Sequence, residues 1–133
     1  MANTTADISR IYESSVEPVF NDFGVEASTT IYEGAAVGVD TASNLAESFV
    51  TGTSVFVGFA MSKADNSSGA AGDINVHVRA KGIIKLTVNT ATGQGDTLDI
   101  GEAVYADDDQ TFSMTSTSQT QIGKVHRVIS QSA

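Results

Sequence analysis

Apolar positions along the chain follow two periods, and the change between them falls near residue 28. Over residues 7–19, Ile8, Ile11, Tyr12, Val16 and Val19 stand at i, i+3, i+4, i+8 and i+11, a spacing that would line one stripe of a helix. Asp7 is placed to cap such a helix, and Pro18 would end it near Glu17. One short amphipathic helix is marginal in isolation. The segment is therefore expected either as a short helix or as an extended arm that orders against a neighbouring copy or another protein. Residues 1–27 would then stand apart from a β-domain over 28–133.

From residue 28 the period is two. Residues 28–39 predict a short strand, a turn at Glu33-Gly34 and a second strand, with Gly34 and Gly38 marking bends or close backbone approach. Residues 40–52 are polar enough for a connection. In 53–61, Val55, Val57, Phe59 and Met61 share one parity and Phe56 takes the other, as in a strand covered on both faces. Residues 63–73 (KADNSSGAAGD) are small and turn-forming, and predict a loop whose tip is the most mobile point of the domain. The longest regular run follows. Ile74, Val76, Val78, Ala80, Ile84, Leu86 and Val88 all keep even parity, which predicts one long strand kinked at Gly82, or two in register.

The pattern continues to the C-terminus. Residues 90–97 predict a second loop and 98–106 a strand, and Asp107-Asp108-Asp109-Gln110 forms an acidic turn into a hairpin partner at 111–115. Residues 116–120 are polar. In 122–129, Val125 and Ile129 share a face while Val128 is out of phase, the mark of a bulge. About eight short strands separated by turn signals describe an all-β, mainly antiparallel domain, a small barrel or sandwich.

At 133 residues the chain fits one domain with a modest core. The absence of cysteine excludes disulfides and thiolate zinc sites. The N-terminus lacks the basic and apolar regions of a secretory signal, and no apolar run approaches the ~20 residues of a membrane span, so a soluble protein without a membrane partner is expected. Sixteen acidic against seven basic residues give a net charge of −9, which opposes nucleic acid as a partner.

The inventory for chemistry is poor. His77 and His126 are each alone in sequence, and the serines and threonines sit in no nucleophile elbow. Asp107-Asp108-Asp109 lacks the alternating acids, glycine and distal glutamate of a calcium loop, and Gly93-Gln94-Gly95 lacks the third glycine of a dinucleotide fingerprint. No catalytic residue, metal site or cofactor is expected. Arg79, Lys81 and Lys85 fall with His77 on the odd face of the long strand. They form either an ordinary solvated face or a docking stripe for an acidic partner, including the Asp107 to Asp109 turn of a neighbouring copy.

The C-terminal half carries a long alternating strand ending in KLTV at 85–88 and a Gly-Asp loop. Glu102-Ala103-Val104-Tyr105-Ala106-Asp107 follows, then a Thr-Phe-Ser hairpin partner at 111–113 and Ile-Gly-Lys-Val at 122–125. In this it resembles the capsid cement, or head-decoration, proteins of tailed bacteriophages, over residues 28–130. The resemblance implies a barrel-like domain that forms a homotrimer and sits on the capsid exterior, bridging major capsid protein subunits after assembly in the host cytoplasm. Residues 1–27 exceed that family's core, so Ile8, Ile11, Tyr12, Val16 and Val19 are candidates for partner binding, together with Arg79, Lys81 and Lys85. Rival expectations are a tail-tube or fibre-base domain and a carbohydrate-binding module. Against the last stand the absence of Trp and the presence of only Tyr12, Tyr32 and Tyr105 as tyrosines.

Overall fold

A computed structural model describes residues 3–13, 17–89, 100–114 and 120–127, and among these the chain forms strands and no helix. The larger sheet has the order β1-β7-β5-β3-β4. It is built from β1 (Val19–Gly24), β3 (Ala36–Asp40), β4 (Ala46–Ser48), β5 (Ser54–Ala60) and β7 (Asn75–Lys81). A two-stranded ribbon pairs β2 (Thr29–Ile31) with β6 (Ala64–Asn66). A four-stranded sheet has the order β11-β9-β10-β8, from β8 (Val88–Asn89), β9 (Ala103–Ala106), β10 (Phe112–Ser113) and β11 (Thr120–Lys124). All strand pairs are antiparallel except the two-residue contact of β8 with β10. The all-β, mainly antiparallel class is as expected. A bridge from Val25 to Ala46 draws the chain after β1 against β4, but among the described residues the sheet does not close into a barrel.

Two cores lie on opposite faces of the larger sheet. Alternation sorts them: Ala35 and Val37 enter the first core and Ala36 the second. The first joins Val25, Ile31, Ala46, Ala60, Ala64, Val76 and Val78, so the β2–β6 ribbon covers that face. The second joins Phe49 and Phe59 to Val104, Ala106 and Phe112, so the four-stranded sheet covers the other. Its rings form a chain, with centroids 6.0 Å apart for Phe49 and Phe56, 5.6 Å for Phe56 and Phe59, and 5.8 Å for Phe59 and Phe112.

Two glycines redirect the predicted periods. In β5, Val37 pairs with Gly58 and Gly38 with Phe56, so Val57 is an extra residue and the parity flips. Phe56 therefore joins Phe59 in the second core while Val57 packs on the first, which corrects the single face expected for Val57 and Phe59. Gly58 has φ +138°, and a Cβ there would stand 2.3 Å from the Arg79 carbonyl. The even-parity run is likewise split at Gly82, where φ is +143°. Val76 and Val78 precede the kink and fill the first core, whereas Ile84, Leu86 and Val88 follow it and pack on the second.

Two segments predicted as connections hold core residues. Residues 40–52 include β4 and the fully buried Ala46 and Phe49. Residues 63–73 include β6, whose buried Asn66 donates from Nδ2 to the carbonyls of Glu26 and Ala70 at 2.9 Å each and of Val25 at 3.3 Å. Such anchoring of a polar side chain is what permits its burial. The β9–β10 hairpin forms as expected. The register shift in β11 falls between Gln121 and Gly123, while Val128, Ile129, the loop at 90–97 and the polar stretch at 116–119 lie outside the described residues.

Candidate partner-binding surface

The segment expected as a short helix or an extended arm is, over residues 3–13, extended, and it forms a strap on its own domain. Its backbone groups are satisfied by the body, which removes the drive to bond internally. Ile8 N donates to Glu33 O at 2.7 Å, Lys85 N to Ile11 O at 2.8 Å and Glu13 N to Ile83 O at 2.9 Å, around an antiparallel bridge of Tyr12 with Ile84. Asp7 caps no helix, and its carboxylate instead accepts the amide of Glu33 at 3.0 Å. The expectation that this segment lies on a neighbour rather than on its own domain is corrected. So is the division at residue 27, since β1 belongs to the main sheet and Val25 to its core. Val16 lies outside the described residues.

Where the strap crosses the second core, a charged side chain anchors it by a hydrogen bond and ring contacts. Arg10 Nε donates to Gly34 O at 2.8 Å, and its guanidinium carbon stands 5.8 Å and 5.6 Å from the ring centres of Phe59 and Phe112. Gly34 has φ +82°, and a Cβ there would lie 2.1 Å from the Ile8 carbonyl, so the turn admits the strap only as glycine. Thr4 N donates to Asp109 Oδ1 at 2.9 Å. Asp109 is fully buried, and Asp108 Oδ1 accepts the amides of Gln110 and Thr111 at 3.0 and 2.8 Å. The expected acidic tip is thus largely an internal turn, which removes it as a partner for the basic stripe of another copy.

Burial raises the Asp109 carboxyl above its usual value, against the opposing effects of the Thr4 amide, Ser48 and Arg10. Burial also lowers the Arg10 guanidinium and raises the Tyr12 phenol, the latter opposed by Arg79 and Arg10. These shifts belong to groups that hold the strap down.

Strand pairing brings Ile11, Tyr12 and Val19 of one candidate set and Lys81 and Lys85 of the other to one corner beside the Gly82 kink, while Ile8 lies apart against Glu33 and Gly34. Val19 stands opposite Lys81, Tyr12 opposite Ile84, and the Lys85 amide bonds to Ile11. The corner is mixed in character. Ile11, Val19 and Phe20 are 63%, 45% and 40% exposed, and Lys81 and Lys85 are exposed beside them. Ile8 and Tyr12 are half-buried in the strap. Arg79 does not extend the free stripe, because its guanidinium carbon lies 4.3 Å from the Tyr12 ring centre. His77 is exposed yet engaged, 2.8 Å from the Asp22 carboxylate and stacked on Phe20 at 5.0 Å.

The period of the sequence would have revealed β1. Val19, Phe23 and Val25 share odd parity directly after Pro18, a strand signal hidden by ending the helical stripe at Val19. Nothing local marks Asp109 as buried, because its partner Thr4 is 105 residues away. Among the described residues no group of three or more His, Asp or Glu could hold a metal ion. Compared with known protein families, with curated proteins and with solved structures, the chain finds no match in any of the three.

Proposed function

We propose that the chain is a structural virion protein that decorates an icosahedral bacteriophage capsid and bridges its major capsid subunits. The observation that carries this is the corner beside Gly82, where exposed apolar side chains (Ile11, Val19, Phe20) meet exposed lysines (Lys81, Lys85) on an otherwise acidic chain. Apolar contact with a charged border is the composition of a protein-binding surface. The C-terminal strand pattern, which resembles head-decoration proteins, supplies the identity of the partner. Bridging needs multiplicity, since a small corner contributes little alone, and a homotrimer on the shell would gain by avidity.

Purified protein mixed with undecorated capsids should bind in saturable copy number, counted in a reconstruction by electron microscopy. Light scattering gives the solution state. Capsids that remain bare at saturating protein would reject decoration.

A further inference from the structure

The corner has a backbone component that side-chain chemistry alone does not reveal. Among the described residues β1 is hydrogen-bonded in the main sheet only to β7, so one of its two edges has no described strand beside it. Which groups face outward follows from the neighbouring strand. Met61 N donates to His77 O at 2.8 Å, which turns the backbone of His77 toward the β5 side. Directly opposed residues in an antiparallel pair alternate between bonded and non-bonded. Asp22, opposite His77, and Phe20, opposite Arg79, therefore form non-bonded pairs with β7, whereas Asn21 and Phe23 bond to Val78 and Val76. The N–H and C=O groups of Phe20 and Asp22 point away from the sheet, and no described backbone group bonds them.

Open edges invite pairing, and natural sheets shorten, charge or cover them. The opposite edge is managed in this way: β4 has three residues, carries Glu47, and its Ala46 carbonyl accepts the amide of Glu26 at 3.0 Å. By contrast β1 is six residues long, and its first four, Val19 to Asp22, are exposed. Charge defines what fits there. Lys81 and Lys85 have no side-chain hydrogen bond or ion pair among the described residues; of the nearby acids, Glu13 is paired with Arg127 and Asp22 contacts the His77 ring, while Glu17 is exposed two residues before Val19. A strand added outside β1 would lie two strand spacings from β7, roughly 10 Å, which a lysine and a glutamate span together. At physiological ionic strength charges beyond about 8 Å are screened, so Lys81, directly opposite Val19, acts on a segment at this edge more than the distant acids behind the net charge of −9 do. That same net charge opposes a second copy as the occupant.

We infer that the open edge of β1 accepts an extended segment of a partner protein, with acidic residues alternating with apolar ones, as a further antiparallel or parallel strand. It rests on the decoration proposal only for the name of that partner. Main-chain bonds to Phe20 and Asp22 would supply attachment, and Lys81 and Lys85 the preference for acidic side chains.

The test uses the full chain, isotopically labelled, and two short synthetic peptides that alternate valine and threonine with either glutamate or lysine. The glutamate peptide should shift the Phe20 and Asp22 amides and slow their exchange, and the lysine peptide should bind about tenfold more weakly. Asp22→Pro removes an outward N–H and should weaken the glutamate peptide about tenfold, while Asp22→Ala, which keeps that N–H and takes an acid off the edge, should bind it no more weakly than wild type. Should Asp22→Pro not fold, Lys81→Glu with Lys85→Glu serves instead and should reverse the peptide preference. Equal binding of the two peptides, no binding of either, or shifts confined to other strands would overturn the edge assignment. Undecorated capsids separate the two proposals. Capsid binding undiminished in Asp22→Pro, with neither peptide taken up at β1 by the wild type, would overturn the edge and leave decoration standing. Uptake of the glutamate peptide at β1 by a protein that ignores capsids would do the reverse.

Discussion

The two cores face the same sheet and are closed by different means. The first is made of Val, Ile and Ala: its nine fully packed residues include no aromatic ring, and strands on both sides supply its walls. The second is aromatic, with Phe49, Phe59 and Phe112 at its centre, and part of its wall is the strap. Small residues let backbones approach closely and leave little to cover. Rings leave a larger surface, and here the cover includes an arginine and a buried aspartate. Residues 3–13 thus matter to one core, whereas β1 matters to the other.

Truncation at two points should separate these dependencies most sharply. Removing residues 1–24 deletes β1 and uncovers the flank of β7, from which Val76 and Val78 enter the first core. That chain should not fold, as read from collapsed amide dispersion. Removing residues 1–13 leaves β1 in place and uncovers the rings near Arg10 together with Asp109, Arg79 and the backbone of Ile83 and Lys85. This shorter deletion should fold with a lowered melting temperature and faster exchange around Phe59 and Phe112. A first core that loosened as much as the second would contradict the division.

A smaller effect comes from within the aromatic core. Phe112 is 1% exposed and touches both Phe59 and the Arg10 guanidinium. Phe112→Ala should cost about 3–5 kcal/mol, whereas Ile31→Val in the first core should cost about 0.5–1.5 kcal/mol, both measured by chemical denaturation. Equal costs would mean that ring packing contributes less to the second core than its geometry implies.

Most strands were legible in the sequence, because a period of two survives wherever one face is buried. The β9–β10 hairpin and the kink at Gly82 follow directly from turn chemistry and parity. What parity cannot carry across is an inserted residue, and the extra Val57 put Phe59 on the face of Phe56 rather than on that of Val57. The even run of 74–88 concealed a different ambiguity, since residues in phase along the chain served two separate cores after the Gly82 bend. The strap shows a third limit. Ile8, Ile11 and Tyr12 have helical spacing, yet their backbone partners Glu33, Lys85 and Ile84 lie far along the chain, and tertiary bonding overrode a marginal local propensity. For the candidate site, both residue groups were visible in the sequence, and only the pairing of β1 with β7 showed that they adjoin.

The buried aspartate tests the strap by pH. Asp109 has its carboxyl raised by burial, so the native state holds this proton to a higher pH than the unfolded chain, whose value lies near about 3.9. Between those two values the folded form binds more protons, and stability falls as pH rises through that window. At neutral pH the ionised group is therefore a cost. Asp109→Asn keeps an acceptor for the Thr4 amide and removes the titration. The variant should be the more stable near neutral pH, and its advantage should shrink as the solution is acidified through the raised value toward that of the unfolded chain. Denaturation midpoints of both proteins across that range measure it, and a constant gap would show that Asp109 does not titrate there.

The smallest effect on folding belongs to the lysines of the corner, where the expected effect on association is the opposite. Lys81 and Lys85 are exposed and have no ionic partner among the described residues, so Lys81→Glu with Lys85→Glu should move the melting temperature little. Each lysine that meets an acid across an interface forms a rim pair worth no more than about 1 kcal/mol, and a single substitution should therefore pass almost unnoticed. Reversing both places like charges against the partner. Association with undecorated capsids should then slow markedly at low salt, and the gap between wild type and variant should narrow as salt rises, because screening removes the attraction and the repulsion together. Arg79 provides the internal contrast. It lies under Tyr12 rather than in the free stripe, so Arg79→Glu should disturb the strap and lower stability, with little salt dependence. Stopped-flow association at two salt concentrations, set beside melting curves of the three variants, distinguishes a docking charge from a packing one. Identical association rates for wild type and the double reversal at both salts would reduce Lys81 and Lys85 to an ordinary solvated face.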